Sequence, residues 1–301
     1  MKFFKKIIRK LFYLNAWNIG YRTINDDSLP INDVKIKYKL LPTTDSKYYA
    51  DPFVFKYNND IYLFAEYMNR YSGKGTIAFS KFYNGKFSKF TEILNEDFHL
   101  SYPNVFLYDG QIYMIPETSA TRQIRLYKAI DFPNKWSLEK ILIDDEKPYV
   151  DTSLFFDKEG KIYLYLFWIE NGEKQSKYCS FDMSTYQITE IDKENICVER
   201  PAGNPFLNDK NMLRAVQNCD EYYGKSMFIV DVDTETVIGE ITDNNLILNP
   251  NVKKLTGMHT LNRIEGFEVI DIRYDRFCVS RPIIRIWHLM NKIFGGCFNV
   301  Y

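Results

Sequence analysis

The segment Asp51-PFVFKYNNDIYLFAE, which covers residues 51–66, decides the fold because its form returns along the chain. It contains a short apolar strand, a tight turn and a second apolar strand. The related segments are Tyr102-PNVFLYDGQIYMIPE, Asp151-TSLFFDKEGKIYLYLFW, Asn204-PFLNDKNMLRAVQ and Gly257-MHTLNRIEGFEVIDI. Their starts are 51, 49, 53 and 53 residues apart. Self-similarity at a nearly fixed period indicates a repeat architecture.

Each repeat contains a hairpin signal between its two strands. The turns fall at Asn59-Asp60, Asp109-Gly110, Glu159-Gly160, Asp209-Lys210 and Glu265-Gly266, and such pairs between apolar runs are typical of β-hairpins. Two further strand-like runs follow the hairpin, as in Gly75-TIAFSKF and Lys86-FSKFTEI. Four antiparallel strands in each of five repeats predict an all-β fold, a five-bladed β-propeller. The alternating run Val34-KIKYK is expected to close the ring as an outer strand. A β-sandwich with long insertions explains the even spacing less well.

The composition limits the classes of protein. The 301 residues are 46% hydrophobic and 17% aromatic, which indicates a folded chain rich in strands. Lysine plus arginine equals aspartate plus glutamate at 39 each, so nucleic-acid binding is not expected. The cysteines and histidines form no CxxC or HxxxH pair. The sequence therefore predicts no metal site, no cofactor and the reduced thiols of a cytoplasmic protein.

Both ends of the chain are predicted to be amphipathic helices that flank a propeller over residues 21–280. Residues 1–20 form the first, with Phe3, Phe4, Ile7, Ile8, Leu11 and Phe12 on one face and Lys2, Lys5, Lys6, Arg9 and Lys10 on the other. Two alternatives stay open for it: docking on an anionic membrane surface through residues 1–14, which would make the protein peripheral at the inner membrane face, or packing on the domain. Residues 281–301 form the second helix. Ser280 is its expected cap and Gly295 its stop, and its apolar stripe contains Ile283, Ile286, Trp287, Met290 and Phe294.

The repeat also predicts where the polar residues gather. In a propeller the first strand of each blade lies nearest the axis and the second runs back, so its end lies beside the start of the first. One rim of the central funnel would then collect the candidate catalytic residues Asp51, Glu66, Glu117 and Asp151. Clustered carboxyl groups repel each other, which raises some pKa values. A carboxylic acid with a raised pKa can protonate a leaving oxygen while an ionised partner acts as a base.

Seven further residues are expected to bind the substrate. Arginine suits a phosphate or carboxylate on the substrate, and it equally suits a salt bridge to a rim carboxylate. Any single rim residue also has a structural interpretation as the start or end of a strand, and the shared register across blades favours the functional one. The seven residues are Tyr102, Trp168, Arg200, Asn204, Arg214, Gln217 and His259.

At two of these positions the chain resembles the glycoside hydrolase family 43 propellers and the arabinanase, levansucrase and invertase superfamily. Ala50-Asp51-Pro52-Phe53 resembles the blade-one motif, and Val150-Asp151-Thr152-Ser153 resembles the blade-three motif. The resemblance implies that Asp51 is a general base and that Asp151 tunes the acid. The family has a glutamate at the start of blade four, where this chain reads Ala202-Gly203-Asn204-Pro205. The acid would then have to be Glu66 or Glu117.

A second resemblance covers roughly residues 15–280. The motifs Tyr102-Pro103-Asn104-Val105-Phe106, Pro116-Glu117-Thr118-Ser119, Arg200-Pro201-Ala202-Gly203, Arg214-Ala-Val-Gln217 with Tyr223-Gly224, and Gly257-Met-His259 occur in order. They are similar to the N-terminal region of glucosamine inositolphosphorylceramide transferase-like proteins. The resemblance implies a role in glycan or glycolipid assembly. The catalytic glycosyltransferase domain of the plant proteins lies outside the matching region.

Three functions follow from these observations. The first is a sugar-transferring or sugar-processing enzyme of cell-surface glycan biosynthesis, with a carbohydrate or glycolipid substrate. The second is an inverting glycoside hydrolase whose general acid has moved to another blade. The third is a non-catalytic glycan-binding propeller, which the missing blade-four glutamate supports.

Overall fold

The N-terminal segment forms a helix and three strands before the first blade begins. The computed structural model describes residues 2–26, 28–42, 44–248, 252 and 255–293 of the chain. The first elements are α1 (Lys2–Phe12), β1 (Tyr13–Thr23), β2 (Ile36–Lys37) and β3 (Lys39–Leu40). None of them belongs to blade one, because β1 and β3 join the sheet that the C-terminal strands form.

Blades one to four follow in chain order, and in each the first strand pairs with the second, the second with the third and the third with the outermost. Blade one contains β4 (Lys47–Tyr57), β5 (Asp60–Asn69), β6 (Gly75–Tyr83), β7 (Lys86–Phe87) and β8 (Thr91–Leu94). Blade two contains β9 (Ser101–Tyr108), β10 (Gln111–Glu117), a 3-10 turn (Ser119–Thr121), β11 (Gln123–Asp131) and β12 (Lys135–Asp144). Blade three contains β13 (Val150–Phe156), β14 (Ile162–Glu170), β15 (Glu173–Asp182) and β16 (Gln187–Glu190). Blade four contains β17 (Phe206–Asn208), β18 (Asn211–Asn218), β19 (Ser226–Asp231) and β20 (Val237–Ile241).

Blade five is built from both ends of the chain. After a 3-10 turn (Asp243–Asn245) come β21 (Leu246–Ile247), β22 (Leu255–Gly257), β23 (Leu261–Ile264) and β24 (Phe267–Phe277). Strand β24 pairs with β1 in antiparallel register from Tyr13↔Phe277 to Thr23↔Phe267, and β3 pairs with the outer side of β1. Strands β2 and β21 form a short parallel pair beside the blade. This pairing closes the ring, so the five-bladed propeller that the sequence predicts is confirmed.

The structure corrects the predicted N-terminal boundary. The helix ends at Phe12 rather than at residue 20, because residues 13–23 have a strand partner that only the closed ring supplies. The segment that starts at Val34 forms two strands of two residues each, not the single outer strand that was predicted. Only one of them, Lys39–Leu40, is an edge strand of blade five. At the other end α2 covers Arg281–Ile293, and the Ser280 carbonyl accepts the first helical hydrogen bond from Ile284 at 3.0 Å. Phe294 and Gly295 lie outside the described residues.

The core consists of apolar clusters between adjacent blades. Four of these interfaces are rich in aliphatic and aromatic side chains, and each fully buried side chain of this kind contributes about 1.5–3 kcal/mol. The interface between blades three and four has the smallest cluster, with Phe155, Tyr165 and Val232 as its fully buried members. A buried ion pair between Arg214 and Glu235 occupies part of that interface.

A network of asparagine side chains ties the blades together at the axis. Asn104 and Asn204 exchange two amide hydrogen bonds of 2.7 Å, and the Asn204 Oδ1 also accepts from the Leu154 N–H at 2.9 Å. The Asn204 N–H donates to Asn262 Oδ1 at 2.8 Å, and Asn262 donates to the Pro52 carbonyl at 2.8 Å. These bonds satisfy polar groups that the crowded axis shields from water, and they connect all five blades.

Replacing Asn204 by alanine is expected to destabilise the protein by about 3 kcal/mol, because the Leu154 N–H and the Asn104 amide lose their partners in a buried site. Urea denaturation followed by tryptophan fluorescence measures the change. Asn211→Ala, at an exposed asparagine, is the control and should shift the free energy of unfolding by less than about 0.5 kcal/mol. Equal effects of the two substitutions would contradict the role of the axial network.

Candidate functional site

Blades one, two and three begin with the same backbone irregularity. In each, the first strand has one residue more than its partner near its start, a β-bulge. Asp51, Tyr102 and Asp151 occupy the bulges with φ of 49°, 47° and 50°, a left-handed conformation that costs about 1–3 kcal/mol for a residue other than glycine. Bulges redirect side chains, and those of Asp51 and Asp151 contact residues of blades five and four.

Asp51 belongs to a buried group with an imidazole at its centre. The Thr260 hydroxyl donates to Asp51 Oδ1 at 2.9 Å, and His259 Nε2 lies 3.4 Å from the same oxygen. On its other side His259 Nδ1 lies 2.5 Å from Asp271 Oδ2. Asp271 also accepts the N–H groups of His259 and Thr260, both at 2.9 Å, so its carboxylate is held in place and in turn holds the imidazole.

Two aromatic rings fix the orientation of His259. Trp17 on β1 stacks on the imidazole with ring centroids 4.0 Å apart and planes 13° apart. Tyr223, in the connection between β18 and β19, meets the imidazole edge-on at 5.3 Å. The rings leave His259 only 4% exposed.

Asp151 belongs to a second group, which contains an arginine. Arg200 Nε donates to Asp151 Oδ2 at 2.6 Å, and Gln217 Nε2 donates to the same oxygen at 2.7 Å. Arg200 Nη2 lies 3.5 Å from Glu117 Oε2, and that oxygen also accepts the Asp151 N–H at 3.3 Å. The guanidinium lies 5.5 Å from the centre of the Tyr223 ring. Tyr223 therefore borders both groups.

The two groups share one funnel with a buried floor. Asp51, Asp151, Gln217 and His259 are all less than 9% exposed, whereas the side chain of Arg200 is 25% exposed. Tyr223 is 41% exposed. Access from solvent therefore passes Arg200 and Tyr223, and a ligand that enters there would meet the carboxyl groups below.

Burial and mutual repulsion shift the titration of the funnel. Burial, with the nearby charges of Asp151 and Glu66, raises the pKa of Asp51 to about 7, although His259 opposes the shift. Burial and the Asp151 charge raise the pKa of Glu117 to about 8. Burial opposes the charging of His259, but the carboxylates of Asp271 and Asp51 outweigh it and raise the pKa to about 9. Near neutral pH the funnel thus holds a protonated carboxyl group, a partly ionised one and a cationic imidazole.

Glu66 lies at the same register position in blade one as Glu117 in blade two, but its environment differs. His99 Nε2 lies 3.2 Å from Glu66 Oε1, while His99 Nδ1 accepts the Gly75 N–H at 3.0 Å. The proton of a neutral His99 is then on Nε2, where it is directed at Glu66. Glu117 lies instead beside the carboxylate of Asp151, which together with burial raises its pKa, so Glu117 is the better candidate for the acid.

Four of the residues predicted on the rim lie elsewhere. Tyr102 has no exposure, and its hydroxyl bonds to Ser153 at 2.9 Å and to the Gly203 N–H at 2.6 Å. Tyr102 therefore connects neighbouring blades, because its ring also packs against Phe53 of blade one. Asn204 belongs to the axial network, where its side-chain amide is hydrogen-bonded to that of Asn104.

Trp168 and Arg214 point away from the funnel for reasons of register. Val150 pairs with Phe167, so Phe167 rather than Trp168 is the counterpart of Glu66 and Glu117. Trp168 consequently joins the core between blades two and three. Arg214 lies three residues before Gln217 on β18, so it faces the opposite side of the sheet, where it is paired with Glu235 at 2.6 Å.

No site role was predicted for Trp17, Tyr223 or Asp271, although Tyr223 stands in one motif of the second resemblance. The repeat could have identified Asp271, because the ends of the five second strands are spaced by 51, 50, 50 and 54 residues. These positions are Glu66, Glu117, Phe167, Gln217 and Asp271. Tyr223 lies in a connection between strands, to which the repeat assigns no position. Trp17 carried no such signal, because β1 reaches blade five only when the ring closes.

Asp51, His259 and Asp271 are also the residues of this site that could hold a cation. One ligand atom from each lies within 4.8 Å of the others, and all three residues are buried. Two carboxylates and an imidazole suit a divalent metal. Because the pKa of His259 is raised to about 9, a metal bound to its ring nitrogen would have to displace a proton. The absence of a metal site stays a prediction.

The fold and the funnel define a five-bladed propeller of the type found in solved arabinanases. The native arabinanase of Bacillus subtilis superposes with a TM-score of 0.51 at 14% identity, over 75% of this chain and 96% of that one. A glycoside hydrolase superposes with a TM-score of 0.52 at 8% identity, over 91% and 95% of the two chains. At these identities the likeness concerns the fold alone.

The sequence places the chain in a particular family. Residues 38–255 match the family described as glucosamine inositolphosphorylceramide transferase 1, N-terminal, and the chain belongs to it. Glucosamine inositolphosphorylceramide transferase 1 of Arabidopsis thaliana is 31% identical over 206 residues, which are 62% of this chain and 26% of the plant protein. The protein of the same name from Oryza sativa subsp. indica is 30% identical over 210 residues, 64% of this chain and 27% of its own. The chain thus spans about a quarter of the length of these curated relatives. The second resemblance found in the sequence is confirmed, and the first is confirmed for the fold.

The raised pKa of Glu117 predicts a pH-dependent stability. The native carboxyl keeps its proton up to about pH 8, whereas the unfolded one loses it near its ordinary value of 4.5. The stability that this group contributes at low pH is therefore lost as the pH rises from about 5 to 8. Glu117→Gln does not titrate. The difference in free energy of unfolding between the variant and the wild type should therefore be larger at pH 8 than at pH 5, by roughly 3 kcal/mol.

Urea denaturation at a series of pH values measures this difference. The exposed Glu194→Gln is the control, and its curve should run parallel to that of the wild type. A parallel curve for Glu117→Gln as well would show that Glu117 titrates normally in the native protein.

Proposed function

We propose that this chain is a carbohydrate-active propeller that processes or transfers a sugar during the assembly of cell-surface glycans. The observation that carries the proposal is the convergence of Asp51, Glu117 and Asp151 in one buried funnel. Membership of a family whose plant members are named as glucosamine inositolphosphorylceramide transferases supports the substrate class. The proposed substrate is a carbohydrate or glycolipid.

The chemistry follows from the two kinds of carboxyl group in the funnel. Glu117, with a pKa of about 8, is the proposed acid and gives its proton to the leaving oxygen. Asp51, with a pKa of about 7, is the proposed base and accepts a proton from the attacking hydroxyl. Arg200 and Gln217 both donate to Asp151, and the charge of Asp151 contributes to the raised pKa of Glu117.

The two alternative functions are less well supported. The start of blade four holds Ala202 and Gly203, both buried, and the Gly203 N–H is bonded to Tyr102. A hydrolase would therefore have to use a relocated acid such as Glu117, and the transferase names of the plant relatives favour transfer over hydrolysis. A binding protein would have no need of a protonated glutamate beside a second buried carboxylate. The cysteines that the structure describes are free thiols, which agrees with the proposed cytoplasmic location.

The proposal is tested with Asp51→Asn and Glu117→Gln in an assay of sugar release and transfer over a panel of activated, lipid-linked and free saccharides. Each substitution should lower the rate by roughly a hundredfold or more, because it removes one proton-transfer group. The wild-type rate should rise with pH through about 7 and fall above about 8, as the base ionises and the acid loses its proton. Glu117→Gln should lose the alkaline fall.

Binding measured by calorimetry separates catalysis from recognition. Both variants should bind the active saccharide within a few-fold of the wild type, and the exposed Glu194→Gln should keep both rate and affinity. Full product formation by either catalytic-site variant would overturn the mechanism. Saccharide binding without turnover by the wild type over the whole panel would favour the non-catalytic alternative.

A further inference from the structure

Two amphipathic helices meet at one edge of the propeller. Arg281 Nη1 donates to the Arg9 carbonyl at 3.1 Å, and Arg285 Nη1 donates to the Lys10 carbonyl at 3.2 Å. These bonds join the start of α2 to the end of α1. The described residues contain no helix that has the length and apolar character needed to cross a bilayer.

One side of each helix is packed and the other is in solvent. On α2, Ile284 is buried and Trp287 meets Tyr71 edge-on at 6.0 Å. The opposite side carries an apolar stripe at helical spacing, and α1 carries another. The exposed members are Phe4, Ile7 and Leu11 on α1 and Ile283, Ile286, Leu289, Met290 and Ile293 on α2. Single exposed hydrophobic residues are common, but stripes on two adjacent helices form a patch of the kind that marks an interaction site.

The charge of the two helices selects the partner. The sequence of α1 contains five basic residues and no acidic one, and that of α2 contains three basic residues and no acidic one. Apolar stripes flanked by lysine and arginine are typical of helices that lie in the interface of an anionic bilayer. A second copy of this chain would bring the same cations against each other, which disfavours self-association through this face.

The patch lies on the same side of the disc as the mouth of the funnel. Strand β24 runs six residues from Asp271 in the funnel to Phe277, a rise of about 20 Å. Strand β1 starts beside that end, so α1 and α2 leave the propeller together. His288 Nε2 of α2 lies 2.7 Å from the carbonyl of Arg70, in the connection that follows β5 and its funnel residue Glu66.

We propose that α1 and α2 together form one docking surface for an anionic lipid bilayer and that docking turns the mouth of the funnel towards the bilayer. The sequence predicts docking through residues 1–14 alone, whereas the structure adds α2 as the second half of the surface. The arrangement gives a lipid-anchored saccharide direct access to the funnel. Docking itself does not rest on the proposed carbohydrate function, because vesicle binding can be measured without catalysis.

The test is co-sedimentation of the full chain with vesicles of phosphatidylcholine alone and with vesicles of equal parts phosphatidylcholine and phosphatidylglycerol. The protein should bind the anionic vesicles at least tenfold more tightly, and added salt should weaken the binding. The double variant Ile286→Ser and Leu289→Ser should bind them about tenfold or more weakly than the wild type, because two apolar side chains no longer enter the interface.

The matched control is Ile130→Ser and Leu207→Ser, two exposed apolar side chains outside the helices, which should bind the anionic vesicles like the wild type. Equal binding to both vesicle types, or none, would overturn the proposal. So would a dimer, seen by analytical ultracentrifugation, that the α2 double variant abolishes, because the patch would then be covered by a second copy.

Fluorescence quenching by brominated lipid tests the orientation. Vesicle-bound Leu289→Trp, which places an indole in the stripe, should be quenched more strongly than the wild type, whereas Ile130→Trp, at an exposed position of blade two, should be quenched no more than the wild type. The reverse result would mean that another side of the propeller faces the lipid.

Discussion

The pairing of β1 with β24 is the interaction on which both the ring and the funnel depend. It joins the two ends of the chain over eleven residue pairs and converts a row of blades with an open edge into a closed ring. The same pairing places the Trp17 ring against the imidazole of His259. His259 in turn contacts Asp51. It also brings α1 beside α2. Closure, the acid–base group and the two-helix surface are therefore consequences of one strand pair.

The carboxyl groups of the funnel are crowded, and the surrounding residues hold them in place. The charge of Asp151 raises the pKa of Asp51 and of Glu117, and Asp151 itself is paired with Arg200. Arg200 and His259 supply the positive charge, and the aromatic rings around His259 keep water away. Buried, incompletely compensated carboxyl groups disfavour the folded state as the pH rises. Such a cost is typical of functional sites rather than of structural ion pairs.

The sequence predicted this site to the extent that the repeat kept its register. Asp51, Glu66, Glu117 and Asp151 were identified because hairpins recur about every fifty residues and place strand ends on one rim. Trp168 was wrongly assigned because the longer hairpin turn of blade three, between Phe156 and Ile162, makes Phe167 the partner of Val150. Arg214 was wrongly assigned because a residue three positions before Gln217 faces the other side of a strand. Tyr102 and Asn204 stand near the starts of their blades, as the repeat predicts, but their polar groups bond to other blades instead of facing the funnel.

The sequence by itself determined the number of blades, the class of fold and the family, because each of these is written in local patterns: apolar alternation, turn pairs and ordered motifs. Only the tertiary structure decided where the terminal helix ends, which glutamate is engaged by a histidine and which is protonated, and that Trp17 and Asp271 complete the site. These features depend on contacts between residues as far apart as Trp17 and His259. Such contacts exist only after the ring has closed, and no local pattern encodes them.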